Sequence, residues 1–196
     1  MRKKAIVIGT GIAGLSSILR LLQKGYQVKA FETNDYVGGK ITSFQSKGYR
    51  WDMGPSLFTM PQYVNELFEL FGENPKDHFN YNKKEVLCNY FWEDGTTFSA
   101  KSDPSLFVKE VSQVFKIDPV IITDYLKKSK LKYDLTAPIF LEKSLHRWAT
   151  YFSFSTIKAL FNLAHLNLFD SLDQLNKRKL KHKKLIQFFN RFATYN

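Results

Sequence analysis

Apolar residues near the start of the chain form two short runs separated by a stretch with helical spacing. Residues 5–8 and 28–31 are mostly apolar, and each run has the length of a β-strand. Between them, apolar residues recur every three or four positions and are followed by Gly25: Ile12, Leu15, Ile18, Leu19 and Leu22. The pattern predicts a strand–helix–strand unit with parallel strands, the first of which is expected to be buried.

Two more elements are predicted in the middle of the chain. Pro61 opens a helix that Gly72 ends, with apolar residues on one face at Val64, Leu67, Phe68 and Phe71. Further along, residues 86–92 and 97–99 flank an Asp94-Gly95 pair. An Asp-Gly pair between two such runs predicts a β-hairpin.

The second half of the chain is predicted to be mainly helical. Asp103-Pro104 and Asp118-Pro119 each combine an N-cap acid with proline at the first helical position, and the second helix is expected to run to about Tyr133. From Ser144 onward the pattern is again helical. The fold class is therefore α/β, and we divide the chain into two segments, 1–80 and 81–196.

The loop between the first strand and its helix carries a glycine motif. Gly9 permits a tight turn, Gly11 lets the backbone approach a pyrophosphate, and Gly14 lets the helix pack close to the strand. The helix that starts at Ile12 and Ala13 points its N–H groups and its positive dipole end toward bound phosphates. The motif predicts a dinucleotide site.

An acid and a second glycine motif follow. Glu32 ends the second strand, where its carboxylate can accept both hydroxyls of an adenosine ribose and would repel a 2′-phosphate, which favours NAD or FAD over NADP. Gly38, Gly39 and Lys40 come next, and a diglycine followed by a cation can fold back over the pyrophosphate.

A third segment contains Gly54, Pro55 and Ser56 after an aromatic-Asp-Met sequence. With these motifs in this order, residues 4–61 resemble the FAD-dependent amine oxidase superfamily, and within it the bacterial carotenoid desaturases of the phytoene desaturase type. In that family this segment borders the flavin. The stretch 54–61 is more similar to the branch that acts on hydroxylated carotenoids at the 3,4 position.

The resemblance implies a Rossmann-like FAD-binding domain with an inserted α+β substrate domain. It implies an oxidoreductase that removes two hydrogens from a C40 carotenoid, so that a new C=C bond forms while FAD accepts a hydride. The alternatives are a hydroxycarotenoid 3,4-desaturase, an amine oxidase, a retinol saturase-like reductase, or an inactive truncated product. No catalytic acid–base pair is visible.

The composition of the chain argues against several features, among them a disulfide bond, a metal site and a membrane-spanning helix. Cys88 is the single cysteine, which excludes an internal disulfide, and it is expected to be a small core residue. The four histidines share no ligand spacing, so no metal site is predicted. No export signal and no run of 18 apolar residues is found. We expect a cytoplasmic protein, and its oligomeric state stays open.

Charge and aromatic residues are concentrated toward the end of the chain. Residues 143–196 contain ten Lys and Arg but only Asp170 and Asp173 as acids, and they carry an unusual set of aromatic residues: Trp148, Tyr151, Phe152, Phe154, Phe161 and Phe169. Peripheral membrane contact explains both features. The alternatives are a solvated basic surface and an aromatic helical core. No nucleic-acid motif accompanies the charge, so nucleic acid is not expected as a partner.

The family motif that completes the flavin site is expected elsewhere. In the resembling family a late Gly-Asp and Pro-Gly element closes the nucleotide domain, and no glycine follows Pro138 here. We therefore expect the chain to be the N-terminal part of a longer enzyme, with the residues near the flavin ring beyond Asn196. Alone, it is expected to hold little FAD and to be inactive.

Overall fold

The structure is a computed structural model, and it describes residues 1–55 and 57–195. The chain divides into two compact units, Met1–Asn82 and Lys83–Asn196. The boundary lies two residues beyond the division at residue 80 that the sequence suggested. The two units differ in how much apolar surface they bury, since all the buried hydrophobic residues in the described part of the chain lie in the second unit.

The first unit begins with the predicted strand–helix–strand arrangement. Strand β1 is Lys4–Ile8, helix α1 is Ile12–Gln23 and strand β2 is Gln27–Phe31. The strands are parallel, and Lys4 pairs with Gln27 at one end of the ladder while Ile8 pairs with Phe31 at the other. Helix α1 contacts both strands.

Strand β1 is not buried, contrary to the expectation from its apolar run. Ala5 and Val7 are half-buried, whereas Ile6 is 68% and Ile8 87% exposed. Val7 lies on the side where α1 packs, since its Cγ1 would be 3.8 Å from a methyl group added at Gly14. Within the described part of the chain β1 pairs with β2 alone, and β2 with β1 alone. An apolar strand is buried on both faces only when elements cover both of them.

The rest of the first unit contains a hairpin and two helices. Strands β3, Ser43–Ser46, and β4, Tyr49–Asp52, are antiparallel and were not predicted. Their turn is the pair Lys47 and Gly48, which both have positive φ, as a two-residue hairpin turn of type I′ requires. Helix α2 is Gln62–Glu69 and α3 is Pro75–His78. Pro61 is the N-cap of α2, close to its predicted start.

The second unit starts with the predicted β-hairpin, and helices follow it. Strand β5 is Val86–Phe91 and β6 is Thr97–Lys101. The helices are, in chain order, α4 Pro104–Phe115, α5 Pro119–Phe140, α6 Trp148–Tyr151, α7 Phe154–Phe161, α8 Leu163–Leu166, α9 Leu172–Leu180 and α10 Lys183–Asn190, and a 3-10 turn, Arg191–Tyr195, follows.

The two predicted proline-initiated helices begin where the sequence placed them. The Asp103 carboxylate accepts hydrogen bonds from the N–H groups of Ser105 and Leu106, and Asp118 caps α5 in the same way. Helix α5 continues seven residues past the predicted end at Tyr133. Pro138 lies in its last turn, where it has no N–H group to donate to the carbonyl of residue 134, four positions earlier.

An aromatic core holds the second unit together. Helices α4, α5, α9 and α10 pack their apolar sides with the hairpin around Phe98, Phe107, Phe115 and Phe188, all of them buried. Cys88, predicted as a core residue, is only half-buried, and Arg191 Nη1 lies 3.4 Å from its Sγ. It therefore lies at the margin of this core rather than inside it.

Candidate functional site: a glycine-lined cleft

A sharp turn after β1 brings the glycine motif to the end of the sheet. Gly9 has φ +91°, and its N–H donates to the Phe31 carbonyl at 2.7 Å, which ties the turn to the end of β2. Gly14 packs against this turn from the first turn of α1. Neither Gly9 nor Gly14 lines the cleft that these segments form. Both glycines instead shape the backbone of the turn and the start of α1.

Helix α1 starts directly beside this turn with its N-terminus left open. Gly11 is its N-cap, no side chain caps it, and its first turn contains no acid. The backbone N–H groups at Ile12 and Ala13 therefore face the cleft with the positive end of the helix dipole behind them. This arrangement suits an anion.

The diglycine segment folds back onto the glycine turn. Gly38 N–H donates to the Thr10 carbonyl at 2.9 Å, and Gly38 and Gly11 form a parallel bridge. Gly39 has φ +59°, and a Cβ there would lie 3.0 Å from the Gly11 Cα. Only glycine allows this close approach, so the structure brings together two motifs that are 27 residues apart in the sequence.

These segments enclose an open cleft of about 890 Å³ in the first unit. Its lining includes eight of the residues that the sequence predicted for cofactor binding: Gly11, Ile12, Ala13, Gly38, Gly39, Lys40, Gly54 and Pro55. Gly54 lies so close to the backbone of Lys40 that a Cβ at Gly54 would be 2.9 Å from the Lys40 carbonyl oxygen. Ser56, nominated with them, lies outside the described residues.

The surface at Gly11 fits a bound diphosphate. The nearest protein atom to a Cβ at Gly11 is the Gly39 Cα, at 3.9 Å, and the backbone there is extended, so neither crowding nor a positive φ requires glycine. The missing side chain instead leaves bare backbone at the mouth of the cleft. That is what a close-approaching phosphate needs.

Glu32 is held at the end of β2 by a dense set of hydrogen bonds. Its Oε2 accepts from Thr10 N and Thr10 Oγ1, both at 2.7 Å. Its Oε1 accepts from Thr33 N at 2.9 Å and from Asn34 N and Nδ2, both at 3.1 Å. The backbone N–H of Thr10, followed by that of Asn34, lowers the pKa of the Glu32 carboxyl from 4.5 to about 2. The carboxylate therefore stays ionised at neutral pH.

Sequence reasoning missed five residues at this site. Thr10 occupies a position of the glycine motif at which any residue type is allowed. It is nevertheless 6% exposed, and its hydroxyl group donates a hydrogen bond to Glu32. Four others line the cleft beside the nominated glycines: Tyr36, Ile41, Thr42 and Met53. Their only sequence signal was adjacency to the Gly-Gly-Lys and Gly-Pro segments, and nothing in their residue types marks them for a nucleotide.

A second feature lies within the second unit. Helices α5 to α8 surround an apolar groove of about 420 Å³, whose lining includes Ile139, Leu160, Leu163 and Leu166. Five aromatic residues between positions 148 and 169 do not line this groove and are exposed rather than buried. The exposed fractions are 81% for Trp148, 77% for Phe152, 81% for Phe154, 87% for Phe161 and 102% for Phe169. These five aromatics, which we call the aromatic patch, are therefore not the core of this unit.

Two features are absent from residues 1–55 and 57–195, namely a membrane-spanning helix and a cluster of metal-binding side chains. No helix there combines the length and apolar character needed to cross a bilayer. No group of three or more His, Cys, Asp or Glu side chains in that part of the chain is arranged to hold a metal ion.

The βαβ unit, the uncapped helix and the folded-back diglycine are features of dinucleotide-binding proteins. Comparison with known families agrees with this class: a family model described as flavin containing amine oxidoreductase matches residues 12–195. The chain belongs to the flavin-containing amine oxidoreductase family, and a flavin cofactor is implied.

Curated relatives in this family act on carotenoids, according to their names. The chain is 51% identical over 194 residues to the 1-hydroxycarotenoid 3,4-desaturase of Flavobacterium sp. (strain P99-3), covering 99% of this chain and 39% of that protein. It is 30% identical over 193 residues to the 4,4'-diapolycopene oxygenase of Methylomonas sp., covering 98% of this chain and 38% of that protein. It is 28% identical over 200 residues to the 4,4'-diaponeurosporene oxygenase of Staphylococcus aureus (strain USA300), covering 100% of this chain and 39% of that protein.

The chain thus spans about two fifths of the length of these relatives. The 51% identity is to an enzyme of the hydroxycarotenoid type, which the sequence analysis held as the alternative to the phytoene type. The similarity of stretch 54–61 to that branch pointed in the same direction.

Proposed function

We propose that this chain supplies the FAD-binding segment and part of the substrate region of a carotenoid desaturase. The observation that carries the cofactor assignment is the cleft, where bare Gly11 backbone, the uncapped end of α1 and Lys40 converge. A bound flavin supplies a two-electron acceptor for carbon–carbon dehydrogenation. Glu32 supports FAD or NAD over NADP, because an ionised carboxylate repels a 2′-phosphate.

The same residues would hold the dinucleotide in distinct ways. The α1 N-terminus and Gly11 would receive the pyrophosphate, while Lys40 adds a positive charge from the opposite segment. Gly54 and Pro55 line the same cleft. Ser56, which lies outside the described residues, remains a sequence-based candidate beside them.

The substrate we propose is a hydroxylated acyclic carotenoid. Support comes from the 51% identical relative, whose name specifies a 1-hydroxycarotenoid, and from the apolar lining of the α5–α8 groove, which suits a polyene. An amine substrate finds less support, because the three relatives described above are all named for carotenoid reactions.

A turnover assay with the complete enzyme tests this function. Full-length protein should retain FAD, identified after denaturation by its mass, and should convert a 1-hydroxylated acyclic carotenoid into a product two hydrogens lighter and shifted to longer wavelength. Phytoene and the same carotenoid without its hydroxyl group should react more slowly. Retention of FMN rather than FAD, or equal rates with all three substrates, would contradict the assignment.

We also propose peripheral membrane contact through the aromatic patch. Aromatic and basic side chains are neighbours there: Lys158 shares α7 with Phe154 and Phe161, and exposed Arg147 precedes Trp148. Exposed lysines in the following segment, Lys179, Lys181 and Lys183, add positive charge. An apolar surface flanked by cations suits an anionic lipid interface, from which a carotenoid would be taken up.

Liposome flotation tests the membrane proposal. Binding should rise with the anionic lipid fraction, fall with added salt and weaken in Phe161→Ser and in the Lys179→Glu, Lys181→Glu, Lys183→Glu triple variant. Phe91→Ser is the matched control, because Phe91 is also exposed, at 76%, but lies in the β5–β6 hairpin. Equal loss in Phe161→Ser and Phe91→Ser would count against the patch.

A further inference from the structure

Thr10 joins three segments of the first unit. Its N–H and its hydroxyl group both donate to Glu32 Oε2 at 2.7 Å, across 22 residues of sequence. Its carbonyl accepts the Gly38 N–H at 2.9 Å. Thr10 is 6% exposed, whereas the other described residues of this unit are half-buried or exposed. A threonine in the middle of the glycine turn is therefore tied both to the acid and to the diglycine segment.

The two oxygens of the Glu32 carboxylate have different surroundings. Oε2 accepts two hydrogen bonds from buried Thr10. Oε1 accepts three on the exposed side, two from backbone N–H groups and the third from the Asn34 side-chain amide. Because a carboxylate oxygen offers about two acceptor lone pairs, Oε2 is fully used. Oε1 can accept a new donor only where one of its three donors moves away.

Asn34 Nδ2 is the donor that can move. The amides of Thr33 and Asn34 belong to the backbone that ends β2, and Thr10 is buried, so these four donors are fixed by the fold. The Asn34 side chain is exposed and can rotate into water. An exposed side-chain amide is exchanged for another donor at little cost, since water satisfies it in its new position.

We propose that Thr10 is a positioning residue for the adenosine ribose: it holds Glu32 Oε2 so that Oε1 is presented to a ribose hydroxyl, whose place the Asn34 amide occupies until the nucleotide binds. The inference rests on the proposed dinucleotide function. Holding the carboxylate in its binding orientation before the ligand arrives lowers the ordering cost of binding. The donor set that lowers the Glu32 pKa also keeps the carboxylate an acceptor at neutral pH.

Nucleotide titration of the full-length protein, freed of its flavin, tests the proposal. The probes are ADP and 2′,3′-dideoxy-ADP, which carry the same base and phosphates but differ in the ribose hydroxyls. Thr10→Val removes the hydroxyl donor and keeps the backbone N–H and the side-chain shape. It should weaken ADP binding about tenfold while leaving dideoxy-ADP binding unchanged, and Thr10→Ser should restore ADP binding.

Asn34→Ala provides a second test that does not depend on the packing of Thr10. Removing the amide that occupies Oε1 should strengthen ADP binding by about two- to fivefold and leave dideoxy-ADP binding unchanged. Unchanged or weaker ADP binding in Asn34→Ala would contradict the proposal that a ribose hydroxyl replaces the Asn34 amide at Glu32 Oε1. This variant alters an exposed side chain, so its fold is expected to persist.

The remaining outcomes separate the inference from the function on which it rests. If Thr10→Val weakens both nucleotides equally, or weakens neither, Thr10 has only a structural role and the positioning proposal is wrong. If the wild-type full-length protein binds neither ADP nor FAD, the dinucleotide site itself is wrong and this inference fails with it. Circular dichroism spectra of Thr10→Val serve as the control that its fold is retained.

Discussion

Gly14 lies against the backbone of Gly9 so closely that a Cβ at Gly14 would be 3.0 Å from the Gly9 carbonyl carbon and closer still to its oxygen. The oxygen belongs to the backbone of a tight turn and cannot rotate away, so any side chain at Gly14 has to displace α1 or the turn. The contact explains in physical terms why a helix can begin only three residues after the first glycine of the motif.

Gly14→Ala should therefore destabilise the first unit and abolish nucleotide binding. Gly11→Ala is the matched control for the fold, because a methyl group there would meet only the Gly39 Cα at 3.9 Å. We expect Gly11→Ala to keep the helical signal and lose at least tenfold in ADP affinity, since the methyl group occupies the phosphate approach. Circular dichroism and ADP titration measure the two effects. Equal structural loss in both variants would contradict the distinction.

Phe98 is expected to dominate the stability of the second unit. Its ring is 1% exposed and lies 5.2 Å from the Phe115 ring and 5.3 Å from the Phe188 ring. Phe98→Ala should lower the free energy of unfolding by about 3–5 kcal/mol, because it removes buried apolar surface and leaves a cavity. Phe91→Ala in the same hairpin, where Phe91 is 76% exposed, should change it by less than about 0.5 kcal/mol. Chemical denaturation measures both.

A chain of polar side chains with the buried Asn176 at its centre links α5, α9 and α10. Tyr125 donates to Asn176 Oδ1 at 2.7 Å, Asn176 donates to Asn190 Oδ1 at 2.8 Å, and Asn176 is 0% exposed. Asn176→Leu should lower the free energy of unfolding by about 1–3 kcal/mol, since the Tyr125 hydroxyl and the Asn190 carbonyl oxygen lose their partner.

The control for this variant is Gln113→Ala on the exposed side of α4, which should change the free energy of unfolding by less than about 0.5 kcal/mol. Thermal melting of the two variants gives the comparison. A stabilised Asn176→Leu would show that the apolar contacts of leucine outweigh the lost hydrogen bonds, contrary to this expectation.

Asp94 should make the second unit sensitive to acid. Lys184 of α10 donates hydrogen bonds to the Asp94 carboxylate and, at 2.5 Å, to Thr96 Oγ1. The hydrogen bond from Lys184, followed by that from the Thr96 backbone N–H, lowers the pKa of Asp94 from 3.8 to about 2. A carboxyl with a lower pKa in the folded state stabilises the fold above its unfolded pKa, and the contribution is lost as pH falls.

Asp94→Asn should therefore flatten the decline of stability between about pH 4 and pH 2. Denaturant titrations at several pH values measure this slope. Glu93→Gln removes a carboxylate from the same exposed turn and serves as control. If both variants flatten the slope equally, general charge repulsion rather than the contact with Lys184 accounts for the acid sensitivity.

The sequence by itself determined the elements that short-range chemistry controls. The glycine spacing specified the turn after β1, Asp103 and Asp118 specified two helix starts, and Asp94-Gly95 specified a hairpin. Each depends on backbone angles or on hydrogen bonds that span a few residues, so the residue types suffice. The sequence also predicted that Gly38 and Gly39 fold back toward Gly11, because both glycine motifs were expected to contact the same pyrophosphate.

Only the tertiary structure decided burial and long-range partners. Ile6 has the residue type of a core position yet is 68% exposed, because burial depends on which elements cover a strand. The end of α5 was misplaced for a similar reason, since packing continues a helix through residues with weak local signals. Thr10 and Glu32 are 22 residues apart, and Lys184 and Asp94 are 90 residues apart. Polar side chains of these types bond many neighbours equally well, and only the folded backbone determines which neighbour each of them meets.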